Sequence, residues 1–454
     1  MSHSTLQQLQ AGQLTSAYRL SQQQELIVRL QIDAGLTELP KEIFDLADCL
    51  EILDLSNNQL TDLPDELETL VNMRILFLSN NHFEHIPAVL ARCPKLEMIS
   101  FKSNRLAAVD DDVLPINTRW LILTDNGIKK LPDSMGKLHR LQKLALAGNN
   151  LQTLPASMAA CKNLELIRLS ANKLTSMPDW LFQLPKLAWL AFSGNEFNRR
   201  ATNSSHSLSV VDVPLVDIKL SELLGEGASG LIYRGGWLRQ PPSLSGTDNH
   251  IAVKIFKGDV TSDGYPQDEL DCCLQAGEQE NLIKVIAQLD QSDGAKTLGL
   301  VMELIPNTFY NLGLPPSLTT CTRDTFIKNT IFDGQTIAKI AQQMANAMAY
   351  LHRQGVSHGD VYAHNTMIND QADMLFGDFG AATNLLSLPI SQREAMERIE
   401  VRAFGCLLED LLLLGCGKIN NNDEILSVLV ALKDRCMQAD SNERPRFIDI
   451  QAAL

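Results

Sequence analysis

Asparagine recurs at a nearly fixed interval in the first part of the chain, at Asn58, Asn81, Asn104, Asn126, Asn149, Asn172 and Asn195. The step is 23 residues, with one step of 22, and each asparagine sits in a pattern of the type Leu50, Leu53, Leu55, Asn58, Leu60, Leu63, Pro64. This period constrains the fold more than any other feature. A unit of this size cannot bury its own apolar side chains, so it is stable only when identical neighbours stack on it. Leucines at alternate strand positions fill the interior, and each asparagine amide can satisfy backbone groups at the turn leaving its strand. Prolines at Pro64, Pro87, Pro132, Pro155 and Pro178 mark the bend to the convex side. A degenerate first unit, Leu26 to Pro40, lacks the asparagine, and the Gln- and Leu-rich residues 1–25 predict a helical N-terminal cap.

The pattern resembles the leucine-rich repeat, and it singles out a concave column. The residue six before each asparagine is expected to point outward: Ile52, Ile75, Met98, Trp120, Lys143, Leu166 and Trp189, with Phe77 beside it. A solvated face would favour polar residues, so the apolar members predict a docking surface for a protein substrate or regulator, or for the attached second domain. The competing expectation is that these side chains are partly covered at the strand edge.

The second half carries a different signal. Residues 358–365 read His-Gly-Asp-Val-Tyr-Ala-His-Asn, and Asp378-Phe379-Gly380 follows thirteen residues after Asn365. Asp360 can orient an attacking hydroxyl and accept its proton, while Asn365 and Asp378 offer the hard oxygens that Mg²⁺ prefers beside phosphates. Upstream, Gly225, Gly227 and Gly230 form a Gly-x-Gly-x-x-Gly loop with Ile232 after it. Such a loop lets backbone N–H groups approach anionic oxygens. The next element, Ile251-Ala252-Val253-Lys254, is an apolar strand ending in lysine, whereas a dinucleotide-binding loop would open a helix.

In this order the motifs resemble those of the eukaryotic-type protein kinases, over roughly Ile218 to Leu454. The resemblance implies ATP and Mg²⁺ as cofactors, a Lys254–Glu269 ion pair, Met302 at the back of an adenine pocket, and adenine bonds to the backbone of Glu303 and Ile305. It also implies a fold: an N-terminal leucine-rich-repeat solenoid followed by a two-lobed α+β domain, α/β in all. The implied activity is transfer of the ATP γ-phosphoryl group to a protein hydroxyl, Ser/Thr-directed. Departures stand beside the likeness. Gly359 replaces the arginine usual before the catalytic Asp, and Tyr362 stands where Ser/Thr kinases place a lysine. His364 stands where tyrosine kinases place an arginine, no Ala-Pro-Glu appears, and Glu400 replaces an aspartate. The central helix is expected to start at Ile399, with Glu394 or Glu397 pairing Arg444. His-Gly-Asp-x-x-x-x-Asn also resembles the aminoglycoside and choline phosphotransferases, so a small-molecule phosphotransferase is the alternative; an ATP-binding scaffold is a third.

Charge narrows the partners. The net charge is −15, which disfavours nucleic acid and anionic membranes. Nine cysteines fit reduced thiols in a cytoplasmic protein. No apolar run approaches the ~20 residues of a membrane span. The expected domains are 1–197 for the repeats and cap, 198–213 for a Ser/Asn/Thr-rich linker, and 214–454 for the kinase-like domain. The oligomeric state is not legible.

Overall fold

The computed structural model describes residues 2–22, 26, 28–199, 210–227, 229–258, 260–261, 263–290, 297–415 and 424–454. Most of the expected linker lies outside them. The chain divides into two compact units, one of Met1–Ile167 with Asn172–Leu184 and one of Arg168–Ala171 with Pro185–Leu454.

The first unit opens with helices α1 (Ser2–Gln10) and α2 (Ser16–Ser21). Leu9 and Leu14 of this segment are buried, as an N-terminal cap over an apolar stack requires. Three-residue parallel strands follow: β1 (Arg29–Gln31), β2 (Ile52–Asp54), β3 (Ile75–Phe77), β4 (Met98–Ser100), β5 (Trp120–Ile122), β6 (Lys143–Ala145) and β7 (Leu166–Arg168). They run in sequence order within an eight-stranded sheet that ends at β8 (Trp189–Ala191). Their register places Ile52, Ile75, Met98, Trp120 and Lys143 directly beside one another.

The asparagine ladder explains why the period is kept. Asn81 accepts at Oδ1 from the Leu60 N–H (2.9 Å) and donates from Nδ2 to the carbonyls of Leu55 (2.9 Å) and Leu78 (3.2 Å). One side chain therefore satisfies backbone groups of two repeats that a buried turn would leave orphaned. After Pro64, Pro87, Pro132 and Pro155 the chain takes a short 3₁₀ turn, and after Pro178 it enters helix α3 (Asp179–Phe182).

The second unit includes β8 and helix α4 (Glu196–Arg199). Val211–Val213, which the sequence assigned to the linker, forms strand β9 at the edge of a second sheet. Three longer strands and two shorter ones complete it: β10 (Ile218–Glu226), β11 (Gly230–Trp237), β12 (His250–Phe256), β13 (Val285–Leu289) and β14 (Gly299–Glu303), ordered β10-β11-β12-β14-β13-β9. Helix α5 (Pro266–Ala276) crosses between β12 and β13. Val213, Ile251, Val253, Ala287 and Val301 form the dry core of this sheet.

Helix α6 (Gly334–Arg353) starts at Asp333, whose side chain accepts from the Thr336 N–H. Small strands flank it: β15 (Tyr310–Asn311), which precedes α6, pairs with β17 (Thr366–Ile368), which pairs with β18 (Met374–Phe376), and β16 (Val356–Ser357) pairs with β19 (Thr383–Asn384). Helices α7 (Ile390–Gly415), α8 (Glu424–Cys436) and α9 (Phe447–Ala453) end the chain.

Two expectations need correction here. Helix α7 begins at Ile390, immediately after Pro389, and not at Ile399. Residues 390–398 carry the polar run Ser-Gln-Arg-Glu-Ala-Met-Glu-Arg, which has helix-forming residues but no motif to announce a helix. Arg444 does not pair with Glu394 or Glu397; it donates to the carbonyls of Gln438, Arg398 and Pro185. The two glutamates belong to Arg446, whose Nε lies 2.8 Å from Glu397 and whose Nη1 lies 3.8 Å from Glu394.

Candidate functional site

Strand β12 places Lys254 opposite Ile232 of β11 and Leu300 of β14. Its ammonium reaches across to Glu269 on α5, and both groups are buried. Asp378 stands 3.9 Å from the same ammonium, with about half of its side chain exposed. Burial works against the charge on Lys254, but Glu269 and Asp378 outweigh it and lift its pKa above the ordinary lysine value. The lysine therefore stays cationic and is aimed where phosphate oxygens could be met.

Asp378 takes a left-handed backbone (φ 63°, ψ 80°) and its carboxylate accepts from the Gly380 N–H. A non-glycine residue in this region stores strain, a frequent mark of functional sites. Phe379 is buried against the ring of His358. His358 is buried too, and its Nε2 lies 3.0 Å from the Gly377 carbonyl. Burial lowers the His358 pKa, so the ring is neutral and donates from Nε2, tying the 358–365 loop to the strand before Asp378.

Between β16 and β17 lies the loop of Asp360 and Asn365. Asn365 donates from Nδ2 to the Asp360 carbonyl at 3.1 Å, which fixes the amide within the loop. From below, Glu400 of α7 accepts from the Gly359 N–H at 2.6 Å and lies 2.6 Å from His352 Nε2. Glu400 is fully buried, so this longer replacement for aspartate is an anchor of the loop. Gly359 has φ +74°, and a Cβ there would sit 2.5 Å from the Ala381 carbonyl oxygen and 3.2 Å from that of Leu190. No other residue fits without moving the backbone.

A cavity of about 540 Å³ lies against several of these groups; its lining includes Gly225, Lys254, Met302, Ile305, Asn365 and Asp378 but not Asp360. Ile232, Glu269 and Glu303 line it as well. This is the size of a small-molecule site. The glycine loop is a hairpin closed by the Gly227 N–H on the Gly230 carbonyl at 3.0 Å. A Cβ at Gly225 or Gly227 would meet nothing within 4 Å, so local packing does not demand glycine at either position. At Gly230 a Cβ would lie 2.6 Å from the Ile255 carbonyl, and there strand packing does demand it. The Glu303 N–H is spent on the Lys284 carbonyl (3.0 Å) and so is not open to a ligand.

Two groups at Asp360 were not singled out from sequence, Arg168 and Asp263. Arg168, 5% exposed, sends Nη2 to Asp360 Oδ1 (2.5 Å), Nη1 to the Gly359 carbonyl (3.2 Å) and Nε to Asp263 Oδ1 (2.8 Å). His364 meets Asp324 through Nδ1 at 2.7 Å. Burial pushes the Asp360 carboxyl above the usual aspartate range, Asp263 and Asp378 add to this, and Arg168 and His364 oppose it. A sequence signal for Arg168 existed. It lies in the column Asp54, Phe77, Ser100, Ile122, Ala145, Arg168, Ala191, where it is the only base.

The apolar concave column is unevenly exposed. Ile52, Phe77 and Trp120 are partly exposed, with the Lys143 ammonium 4.2 Å from the Trp120 ring centre. Ile75, Met98, Leu166 and Trp189 are buried. Trp189 stacks on Tyr362, 4.6 Å between centroids, and donates from Nε1 to the Val361 carbonyl at 3.2 Å.

A buried lysine–glutamate pair, a carboxylate and an amide on one loop, and a second carboxylate across a cavity can hold a polyphosphate and deprotonate a hydroxyl beside it. Residues 218–404 match the family described as "Protein tyrosine and serine/threonine kinase". Residues 48–106, 116–174 and 140–197 match "Leucine rich repeat". Among similar proteins, Kinase suppressor of Ras 2 of Homo sapiens is 24% identical over 212 residues, 46% of this chain and 20% of that one. A probable serine/threonine-protein kinase of Dictyostelium discoideum is 23% identical over 219 residues, 45% of this chain and 22% of its own. Plant intracellular Ras-group-related LRR protein 7 of Oryza sativa subsp. japonica is 46% identical over 56 residues, 12% of this chain and 21% of its own. The chain thus spans about a fifth of the length of each.

Proposed function

Because this chain joins a leucine-rich-repeat array to a protein kinase domain, we propose that it transfers the γ-phosphoryl group of ATP to a serine or threonine hydroxyl of another protein. The observation that carries the reading is the Lys254–Glu269 pair facing Asp378, with Asp360 and Asn365 on the adjoining loop. Lys254 holds phosphate oxygens, and Glu269 keeps its ammonium in place. The carbonyl of Glu303 and the backbone of Ile305 take the adenine edge, with Met302 at the back and Gly225, Gly227 and Gly230 over the phosphates. Asn365 and Asp378 are the hard-oxygen ligands suited to Mg²⁺, which when bound neutralises charge on the phosphates. Asp360 accepts the proton of the acceptor hydroxyl, and its raised pKa makes it a better base than an exposed aspartate.

The serine/threonine direction is supported by the name of the Dictyostelium relative. We assign the exposed part of the concave column (Ile52, Phe77 and Trp120) to binding the protein partner, since aromatic and aliphatic side chains anchor interfaces. Among the described residues no helix is long and apolar enough to cross a membrane. A cytoplasmic site of action fits the buried free thiols, such as Cys272 and Cys273. The test is to incubate the whole chain with labelled ATP, Mg²⁺ and cell extract, then separate protein from small metabolites. Label on protein, recovered as phosphoserine or phosphothreonine, supports the reading. Label on small metabolites alone contradicts it, and phosphotyrosine alone contradicts the stated direction.

A further inference from the structure

The catalytic loop contains no lysine or arginine between His358 and Asn365, yet its base carries a buried guanidinium. We infer that Arg168, a residue of the repeat sequence, is a positioning residue for phosphoryl transfer: it holds the Asp360 carboxylate in place and sets beside it a guanidinium, which no residue of the loop supplies. The inference rests on the kinase reading above and adds to it a residue outside the matched kinase segment.

The geometry is over-determined. Each nitrogen of the guanidinium has its own acceptor: Nη2 the Asp360 Oδ1, Nη1 the Gly359 carbonyl and Nε the Asp263 Oδ1, at 2.5, 3.2 and 2.8 Å. Arginine's planar fork suits such a site, and a lysine could satisfy only part of it. Asp263 lies just before α5, the helix that carries Glu269. Arg168 thus ties the approach to that helix to the catalytic loop, and the Lys254–Glu269 pair is intact while it does so. Contact on Oδ1 leaves Oδ2 of Asp360 for an acceptor hydroxyl.

The surroundings are built to admit this residue. At Gly359 a Cβ would lie 2.5 Å from the Ala381 carbonyl oxygen and 3.2 Å from that of Leu190, so the glycine admits both. Tyr362, in place of a lysine, is covered by the ring of Trp189. At Gly264 a Cβ would come within 2.8 Å of Ser170 Cβ, and at Gly194 within 2.6 Å of Asp268 Oδ2 and Tyr265 Cδ2. Close approaches of this kind persist only in packing that excludes larger residues. Two departures in the loop, Gly359 and Tyr362, are therefore each matched by a residue next to Arg168's own strand.

The test compares the whole wild-type chain with Arg168→Ala and Arg168→Lys, using labelled ATP, dephosphorylated casein as acceptor protein, and nucleotide binding as a separate readout. For Arg168→Ala, kcat should fall about a hundred-fold, as expected when a reacting group loses its alignment. The KM for ATP should stay within about two-fold, because Arg168 does not contact the nucleotide cavity. Arg168→Lys keeps the buried charge and should retain ATP affinity with a kcat between the other two. The groups facing Asp360 are Arg168, Asp263, Tyr362, His364 and Asp378; with Arg168 gone, the acid limb of the pH–rate profile should move to higher pH. If Arg168→Ala no longer binds ATP, Arg168→Lys decides: lowered kcat with normal ATP affinity supports the proposal, and wild-type kcat overturns it. An Arg168→Ala enzyme as fast as wild type, or faster, also overturns it, the latter by showing a latch. Absence of any transfer by the wild-type chain overturns the kinase reading and this proposal together.

Discussion

Trp189 lies flat on Tyr362, with ring centroids 4.6 Å apart and planes 4° from parallel. The tyrosine belongs to the loop of Asp360 and the tryptophan to the last repeat strand. Both are buried, so neither serves as an exposed docking residue in this arrangement. Trp189→Ala removes this stack and the bond to the Val361 carbonyl, and should destabilise the chain by about 3–5 kcal/mol. Trp189→Phe keeps the stack and should lose about 1 kcal/mol, the worth of the indole bond. Denaturant unfolding of the two variants measures the difference.

Trp120 is different in kind, being partly exposed in the first unit. Trp120→Ala should leave ATP hydrolysis unchanged and lower phosphorylation of the natural protein partner, with about 2 kcal/mol lost from the interface. Equal partner phosphorylation by variant and wild type, with equal melting, would remove Trp120 from both docking and stability.

Activity should be independent of phosphate on the segment after Asp378. Gly359 supplies no guanidinium to receive one, and Thr383 is buried with its hydroxyl accepting from the Phe192 N–H. Treating the purified chain with phosphatase should leave its rate unchanged; a large fall would show that another cation receives a phosphate there.

Sequence order made some of this geometry readable and hid the rest. Lys254 and Glu269 are close in the chain, and a strand ending followed by a helix limits where each can point. The repeat asparagines are legible because every unit solves the same backbone problem. Arg168 and Asp360 are 192 positions apart, and nothing local to either encodes the other. Arg444 and Arg446 show the same limit at short range. Both flank Pro445, but only the folded backbone decides that Arg444 meets carbonyls while Arg446 meets Glu397. The start of α7 was missed because motif spacing marks the residues that touch the site, not the polar turns before them.

The acid side of the pH–rate profile should report Asp360. Below its pKa the protonated carboxyl cannot accept a proton, so kcat/KM falls as pH drops. Burial, with Asp263 and Asp378, raises that pKa, and the limb should therefore lie above the ordinary aspartate value of about 3.9. A limb at or below that value would contradict the assignment of the base.

Lys254→Met and Asp360→Asn should each abolish transfer and differ in nucleotide affinity, because Lys254 faces the cavity while Asp360 acts on the acceptor. Asp378→Asn should weaken Mg²⁺-dependent nucleotide binding, read from a Mg²⁺ titration; an unchanged titration would remove Asp378 from metal binding.

The most direct measurement is the initial rate of label transfer from ATP to protein by the wild-type chain and by Asp360→Asn, each shown to bind ATP equally. The account predicts transfer by the wild type and a loss of about a hundred-fold or more in the variant. Equal rates for the two, or label that reaches no protein with the wild type, would contradict it.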